Sequence, residues 1–181
     1  MTKDTMSALR EGRRRSDAAA LARRGRRDRG GITDEFLSAR VVNPVGGNTE
    51  YADMRAAYDA LDAATRAEIE DLVCEHSLMY SRGSLGMLEC SDEERAMFKP
   101  VRQRLVRTHP VTGRKSLYLA SHAGAIVGMP MAKARILLRD LNEHATQPKF
   151  VHAHTWRVGD LVMWDNRQVT VAQASGSQLM N

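Results

Sequence analysis

Pro110-Val111-Thr112-Gly113-Arg114 stands between two strand-like runs, Arg104–His109 and Lys115–Ala120. Proline presets φ for the first corner of a turn and glycine accepts positive φ, so the chain folds back on itself there. A hairpin commits this stretch to antiparallel pairing. Further short strands are expected at Phe36–Val42, Phe150–Trp156 and Asp160–Trp164, with Gly159 in the turn between the last two. Pro44 and Gly46-Gly47-Asn48 turn the chain after the first.

Helical periodicity is interleaved with these strands. Asp53 is placed to cap a helix with Met54, Ala57, Tyr58 and Leu61 on one face, and Asp62 to cap another with Ile69, Leu72 and Val73 inside. Pro130 opens a third, whose stripe is Ala134, Leu137, Leu138 and Leu141. Residues 79–95 read as a long loop. Short strands and helices in irregular order predict an α+β protein with an antiparallel sheet. The length, 181 residues, suits one domain with a core of its own. No apolar run reaches the roughly 20 residues of a membrane span, and no h-region of a secretory signal stands at the N-terminus. Cys74 and Cys90 stand apart from each other. They read as reduced thiols of a cytoplasmic protein.

The net charge of +5 is unevenly distributed. Residues 1–30 hold nine Arg and one Lys against four acids, whereas the other 151 hold 17 bases and 18 acids. Residues 1–35 contain no aromatic residue and no valine, and are expected to form an Arg-rich segment that is disordered or a loosely formed helix. Such an arm suits nucleic acid or an anionic partner. Without interleaved aromatics for base stacking, a solvated tail is the preferred reading and nucleic acid is not the expected partner.

Chemistry-bearing groups are sparse. His152 and His154 are two apart on a strand and so face one side, which could hold a metal, yet no third ligand is placed by spacing. His76 and His144 are read near helix C-termini, where the dipole favours them. His109 precedes a turn proline and is read as structural. His122, in Ser121-His122-Ala123-Gly124, is read as an ordinary residue after a strand that could line a pocket. No His is followed two residues later by Asp or Glu, and neither a nucleophile elbow nor a phosphate loop is present.

Three blocks nevertheless resemble a known family. They are Ser38–Val42 with Pro44–Glu50 and Asp53–Leu61, then Arg107–Tyr118, then Gly159-Asp160-Leu161-Val162-Met163-Trp164-Asp165-Asn166-Arg167. In order and spacing they are similar to the taurine and chlorophenoxyacetate dioxygenases, over about residues 36–170. The resemblance implies a partial double-stranded β-helix (jelly roll) with flanking helices. It implies iron(II) and 2-oxoglutarate as cofactors, the metal held by two His and one carboxylate. Decarboxylation of 2-oxoglutarate would supply the oxidant that attacks a small organic acid or sulfonate. Thr49 matches a Thr that hydrogen-bonds 2-oxoglutarate.

Carried over residue by residue, the same resemblance puts the family's His-x-Asp near Ala22 and Arg24, and its second metal His at Val171. The Arg that pairs with 2-oxoglutarate would fall beyond Asn181. Thr49 is therefore the one cofactor-binding residue expected. No catalytic or metal-ligating residue is assigned, and the chain is expected to be inactive and to bind neither iron nor 2-oxoglutarate. The domain expectation is an Arg-rich segment at 1–35, a partial dioxygenase domain at 36–170 and an unmatched tail at 171–181. Arg, Ala and Gly are what GC-rich DNA encodes out of frame, so both ends are expected to be frame-shifted. Another frame should then give His-x-Asp upstream of Phe36, and a His and an Arg downstream of Thr170. The alternative is a non-enzymatic fragment whose basic arm binds nucleic acid or another acidic partner; a third reading rebuilds a metal site around His152 and His154. Homo-oligomerisation is left open. Missing strands would leave sheet edges exposed, so helices around 53–75 and 130–145 are expected to be better ordered than the sheet.

Overall fold

A computed structural model describes residues 21–28, 31–42, 46–86, 91, 93–94 and 98–173. The remainder of the expected Arg-rich segment, Cys90 and the tail after Gln173 lie outside the described residues. The chain forms two compact units. One takes the residues up to Thr49 together with His154–Trp164, and the other takes Glu50–Ala153 with Asp165–Ala172.

In the first unit, β1 (Leu21–Asp28) pairs antiparallel with β2 (Gly31–Ala39), from Leu21 opposite Ala39 to Asp28 opposite Gly31. The expectation of disorder or a loose helix over residues 1–35 therefore does not describe residues 21–28 and 31–35. A ladder is made by backbone N–H and C=O groups, which Arg and Gly carry like any other residue, so poor apolar content did not preclude it. Strand β2 next meets β10 (Leu161–Asp165), giving the order β1-β2-β10. Ala39 N–H donates to Asp160 O at 2.9 Å, and Gly159 N–H to Ala39 O at 3.0 Å. Gly159 sits at φ +93°, the left-handed conformation its turn requires.

The second unit holds the larger core. Strand β3 (Thr49–Asp53) lies between β11 (Val169–Gln173) and β9 (Val151–His154). It leads directly into α1 (Met54–Asp59), where the Asp53 carboxylate accepts the Arg55 and Ala56 N–H groups as foreseen. Asp62 likewise caps α2 (Ala63–Ile69) through Thr65 N–H at 2.8 Å. That helix stops at Ile69, short of the Leu72 and Val73 assigned to its inner face. Val73–His76 is instead β4, between β5 (Val101–Arg104) and β8 (Ala123–Ile126). Positions 69, 72 and 73 fit a helical stripe, but Val73-Cys74 finds backbone partners on both sides, Cys74 opposite Gln103 and Ile126. His76 accordingly ends a strand and not a helix.

The expected loop at 79–95 begins with α3 (Leu78–Ser84), whose N-cap Ser77 accepts Tyr80 N–H. The turn at 110–114 joins β6 (Val106–Thr108) to β7 (Lys115–Leu117), with Gly113 at φ +68°. Leu105 interrupts the longer strand expected there; it is fully buried and its N–H donates to Leu72 O. Helix α4 (Met131–Ala145) runs as its periodicity predicts, with Pro130 as the N-cap residue. Its buried stripe is Ala134, Leu138, Leu141 and Ala145, packed into one core with Met54, Ala57, Ile69, Leu117 and Ile126. Each buried Leu contributes about 1.5–3 kcal/mol over exposure, so tertiary packing holds this helix against the short elements around it. Mixed helices and short antiparallel strands make the architecture α+β. Among the described residues, no helix is long and apolar enough to cross a membrane.

Candidate functional site

Thr49 opens β3 at the end of the Gly46-Gly47-Asn48 turn and is 3% exposed. The Trp156 indole N–H donates to its Oγ1 at 2.9 Å. A threonine hydroxyl has one hydrogen and two lone pairs, and an indole N–H can only donate. The Thr49 oxygen is therefore an acceptor in this contact, and its hydrogen is left to donate elsewhere. No acceptor for it occurs among the described residues. Trp156 is itself buried, and the His154 ring meets it edge-on at 4.6 Å. His154 Nε2 lies 3.0 Å from Asp160 Oδ2, which also accepts Arg157 N–H at 2.9 Å. The Arg157 N–H and then His154 hold the Asp160 carboxyl below the ordinary carboxylate range. These four residues, Thr49, Trp156, His154 and Asp160, belong to one unit.

A second polar network stands in the other unit. His109 is nearly buried, and its Nδ1 accepts Thr112 N–H at 3.2 Å. Nδ1 is thus unprotonated, and Nε2 carries the hydrogen that goes to Asp165 Oδ2 at 3.1 Å. Asp165 also receives the Arg167 N–H at 2.8 Å and the fork of its guanidinium at 2.9 and 2.7 Å. Burial pushes the Asp165 carboxyl up, but Arg167 and His109 outweigh it and hold the group below its ordinary value. The Arg167 carbonyl accepts the Ser116 hydroxyl at 2.8 Å, so the β10–β11 turn is tied to the β6–β7 hairpin. His109 is structural, as its place before Pro110 suggested.

The other histidines resolve separately. His144, in the last turn of α4 as expected, donates from Nε2 to the Ala57 carbonyl at 2.9 Å. His122 precedes β8, and its Nδ1 lies 2.7 Å from Ser81 Oγ. Ser81 gives its own hydrogen to Leu78 O, so His122 Nδ1–H is the donor. This contact joins residues 41 apart and left no sign in the sequence. His152 is exposed, and Asp160 engages Nε2 of His154. Among the described residues no three His, Cys, Asp or Glu side chains gather as a metal site, so the pair at 152 and 154 acquires no third ligand.

The donor set decides what an iron(II) and 2-oxoglutarate pair would find here. Val171, where the resemblance would put a metal His, carries a hydrocarbon side chain on β11. Ala22 and Arg24, on β1, carry neither imidazole nor carboxylate. These residues do not fit iron. Thr49, matched by the resemblance to a cosubstrate ligand, presents a buried hydroxyl held by Trp156.

Comparison with known proteins identifies the family. The taurine catabolism dioxygenase TauD, TfdA family matches residues 35–170. An alpha-ketoglutarate-dependent 2,4-dichlorophenoxyacetate dioxygenase of Burkholderia sp. (strain RASC) is 53% identical over 134 residues, 74% of this chain and 45% of that protein. A (S)-phenoxypropionate/alpha-ketoglutarate-dioxygenase of Sphingobium herbicidovorans is 48% identical over 137 residues, 72% of this chain and 48% of its own length. The chain thus spans about half the length of the curated relatives it matches. The crystal structure of AAD-2 in complex with Mn(II) and N-oxalylglycine superposes with a TM-score of 0.77 at 71% identity, over 79% of this chain and 53% of that one. A taurine dioxygenase from Burkholderia xenovorans gives 0.67 at 28% identity, over 79% and 46%. This chain belongs to the taurine catabolism dioxygenase TauD, TfdA family.

Proposed function

We propose that this chain is the interior of an iron(II)- and 2-oxoglutarate-dependent dioxygenase acting on a small organic acid of the aryloxyalkanoate kind. In this reading it is a partial jelly roll whose Thr49 donates to 2-oxoglutarate, and as it stands it does not complete an iron site. The observation that carries the reading is the Thr49–Trp156 contact: a buried hydroxyl whose oxygen is occupied by an indole N–H keeps its hydrogen for an oxyanion. The 71% identity to AAD-2, crystallised with Mn(II) and N-oxalylglycine, supports the assignment to this chemistry. The 2,4-dichlorophenoxyacetate and phenoxypropionate dioxygenases support the substrate class. Inactivity follows from the side chains at Ala22, Arg24 and Val171, which offer no iron ligand.

In the same reading each polar network has a task. Trp156 orients the Thr49 hydroxyl, and the His154–Asp160 pair fixes the edge on which Trp156 rests. His109 and Asp165 hold the β10–β11 turn, and so the register of the strand carrying residue 171. The test is succinate formation from 2-oxoglutarate, with iron(II), ascorbate, oxygen and 2,4-dichlorophenoxyacetate, using the full chain. The expected result is no succinate above the iron-only control. Iron-dependent succinate that scales with the protein would refute the inactive reading, and its loss in Thr49→Val would keep the cosubstrate assignment.

A further inference from the structure

We propose that the pocket at Arg107 is a binding site for a small oxyanion, phosphate or carboxylate, a role that the reading above does not assign to it. The pocket has a volume of about 440 Å³ and is lined by Glu70, Gln103, Arg104, Val106, Arg107 and Thr108. That volume lies within the usual range for small-molecule sites. The charges around it do not cancel. Glu70 is taken up by Lys115 and by the Tyr58 hydroxyl, and Arg104 pairs with Asp71 at 3.0 Å. Arg107 pairs with no carboxylate among the described residues. Its Nη2 donates to Gln103 Oε1 at 3.0 Å, and its guanidinium lies 4.2 Å from the Tyr118 ring centroid. The charged groups of the cluster are then three cations against two acids, with Arg107 the one left over.

Two features make Arg107 a prepared donor and not a wandering surface charge. Stacking on Tyr118 fixes the guanidinium plane, so little rotamer freedom is lost when a ligand arrives. A planar fork with unused N–H groups matches two oxygens of one anion. Its field is also felt nearby. Burial pushes the His76 imidazole, which packs 5.2 Å from the Tyr118 ring, below its ordinary value, and the positive fields of His122 and Arg107 push in the same direction. No acid among the described residues offsets them there. An anion seated against Arg107 would neutralise that field, with Thr108 and Gln103 able to complete its hydrogen bonds.

The experiment is a titration of the full chain, uniformly ¹⁵N-labelled, with inorganic phosphate in one arm and succinate in the other, at constant ionic strength. Saturable shifts confined to Gln103, Arg107, Thr108 and their neighbours are expected in at least one arm, and the tighter arm names the oxyanion. Arg107→Gln should weaken binding at least tenfold. Arg107→Lys keeps the charge without the fork and should fall between. Arg104→Gln, at an exposed side chain that leaves the fold intact, should weaken it about threefold, and Arg157→Gln should leave it unchanged. Shifts that stay linear in both arms, or spread over basic residues generally, overturn the site, as does equal affinity of Arg107→Gln. Should Arg107→Gln fail to fold, undiminished binding by Arg107→Lys and Arg104→Gln overturns it equally.

Discussion

Replacing Asp165 with alanine removes four hydrogen bonds from one turn: those from His109 Nε2, from Arg167 N–H, and the two from the Arg167 guanidinium. Their weights differ. His109 is 8% exposed, so its Nε2–H would be left as a buried donor, at about 1–3 kcal/mol. The Arg167–Asp165 pair is about one quarter exposed on each side, and solvent screening limits it to about 1 kcal/mol or less. The Arg167 N–H adds little once water replaces the carboxylate. The loss should total about 1–4 kcal/mol, which for a chain of this size lowers Tm by roughly 2–16 °C. Asp165→Asn keeps an acceptor and should lose about half as much. Urea unfolding followed by circular dichroism measures the difference, and amide exchange at Arg167 and Thr112 should accelerate together, because His109 couples them. A loss below about 0.5 kcal/mol with an unchanged m-value would refute the view that this network holds the β10–β11 turn.

The same carboxyl sets a pH dependence. Its folded value is depressed, so its contribution is fully present above the ordinary carboxylate value near 4 and is lost as pH falls through the lower folded value; Asp165→Asn should flatten that acid limb in a stability-versus-pH series, and an unchanged limb would assign it to other carboxyls. Cys74 is fully buried and burial pushes its thiol up to about 11, so in a Cys90→Ser background it should resist a thiol-specific disulfide reagent at pH 8 until urea unfolds the chain. Rapid reaction in the folded state would contradict its place in the core. Gly124 has no room for a side chain, because an added Cβ would fall on the Tyr80 ring; Gly124→Ala should cost about 1–3 kcal/mol, and a neutral result would mean that α3 does not pack on β8 as described.

Local signals read well from the sequence. Asp53 and Asp62 cap the helices they were expected to cap, and Gly113 and Gly159 take the positive φ their turns demand. Those devices act within a few residues and need no tertiary partner. Val73-Cys74 was misread because its spacing suits a helix face, and only the strands at 101–104 and 123–126 convert it into β4. Ser77 caps a helix, Leu78–Ser84, whose glycine and serine content reads as loop. Leu21–Asp28 was invisible for the same reason in reverse: its ladder is made by backbone, and composition is silent on backbone. At the candidate site, Thr49 stands out in the sequence by resemblance alone. Its partner Trp156, 107 residues away, does not. In the sequence Arg107 is only one residue of a family block; its importance comes from having no paired carboxylate among the described residues and from stacking on Tyr118, neither of which spacing reveals.

The proposed function makes this chain part of a dioxygenase without the ligands for its metal. Equilibrium dialysis of the full chain against Mn(II), with N-oxalylglycine present and oxygen excluded, tests it most directly, with bound metal counted by atomic emission. Far less than one metal per chain is expected, with no change on adding N-oxalylglycine. One tightly held Mn(II) per chain, retained through gel filtration and dependent on Thr49, would contradict it.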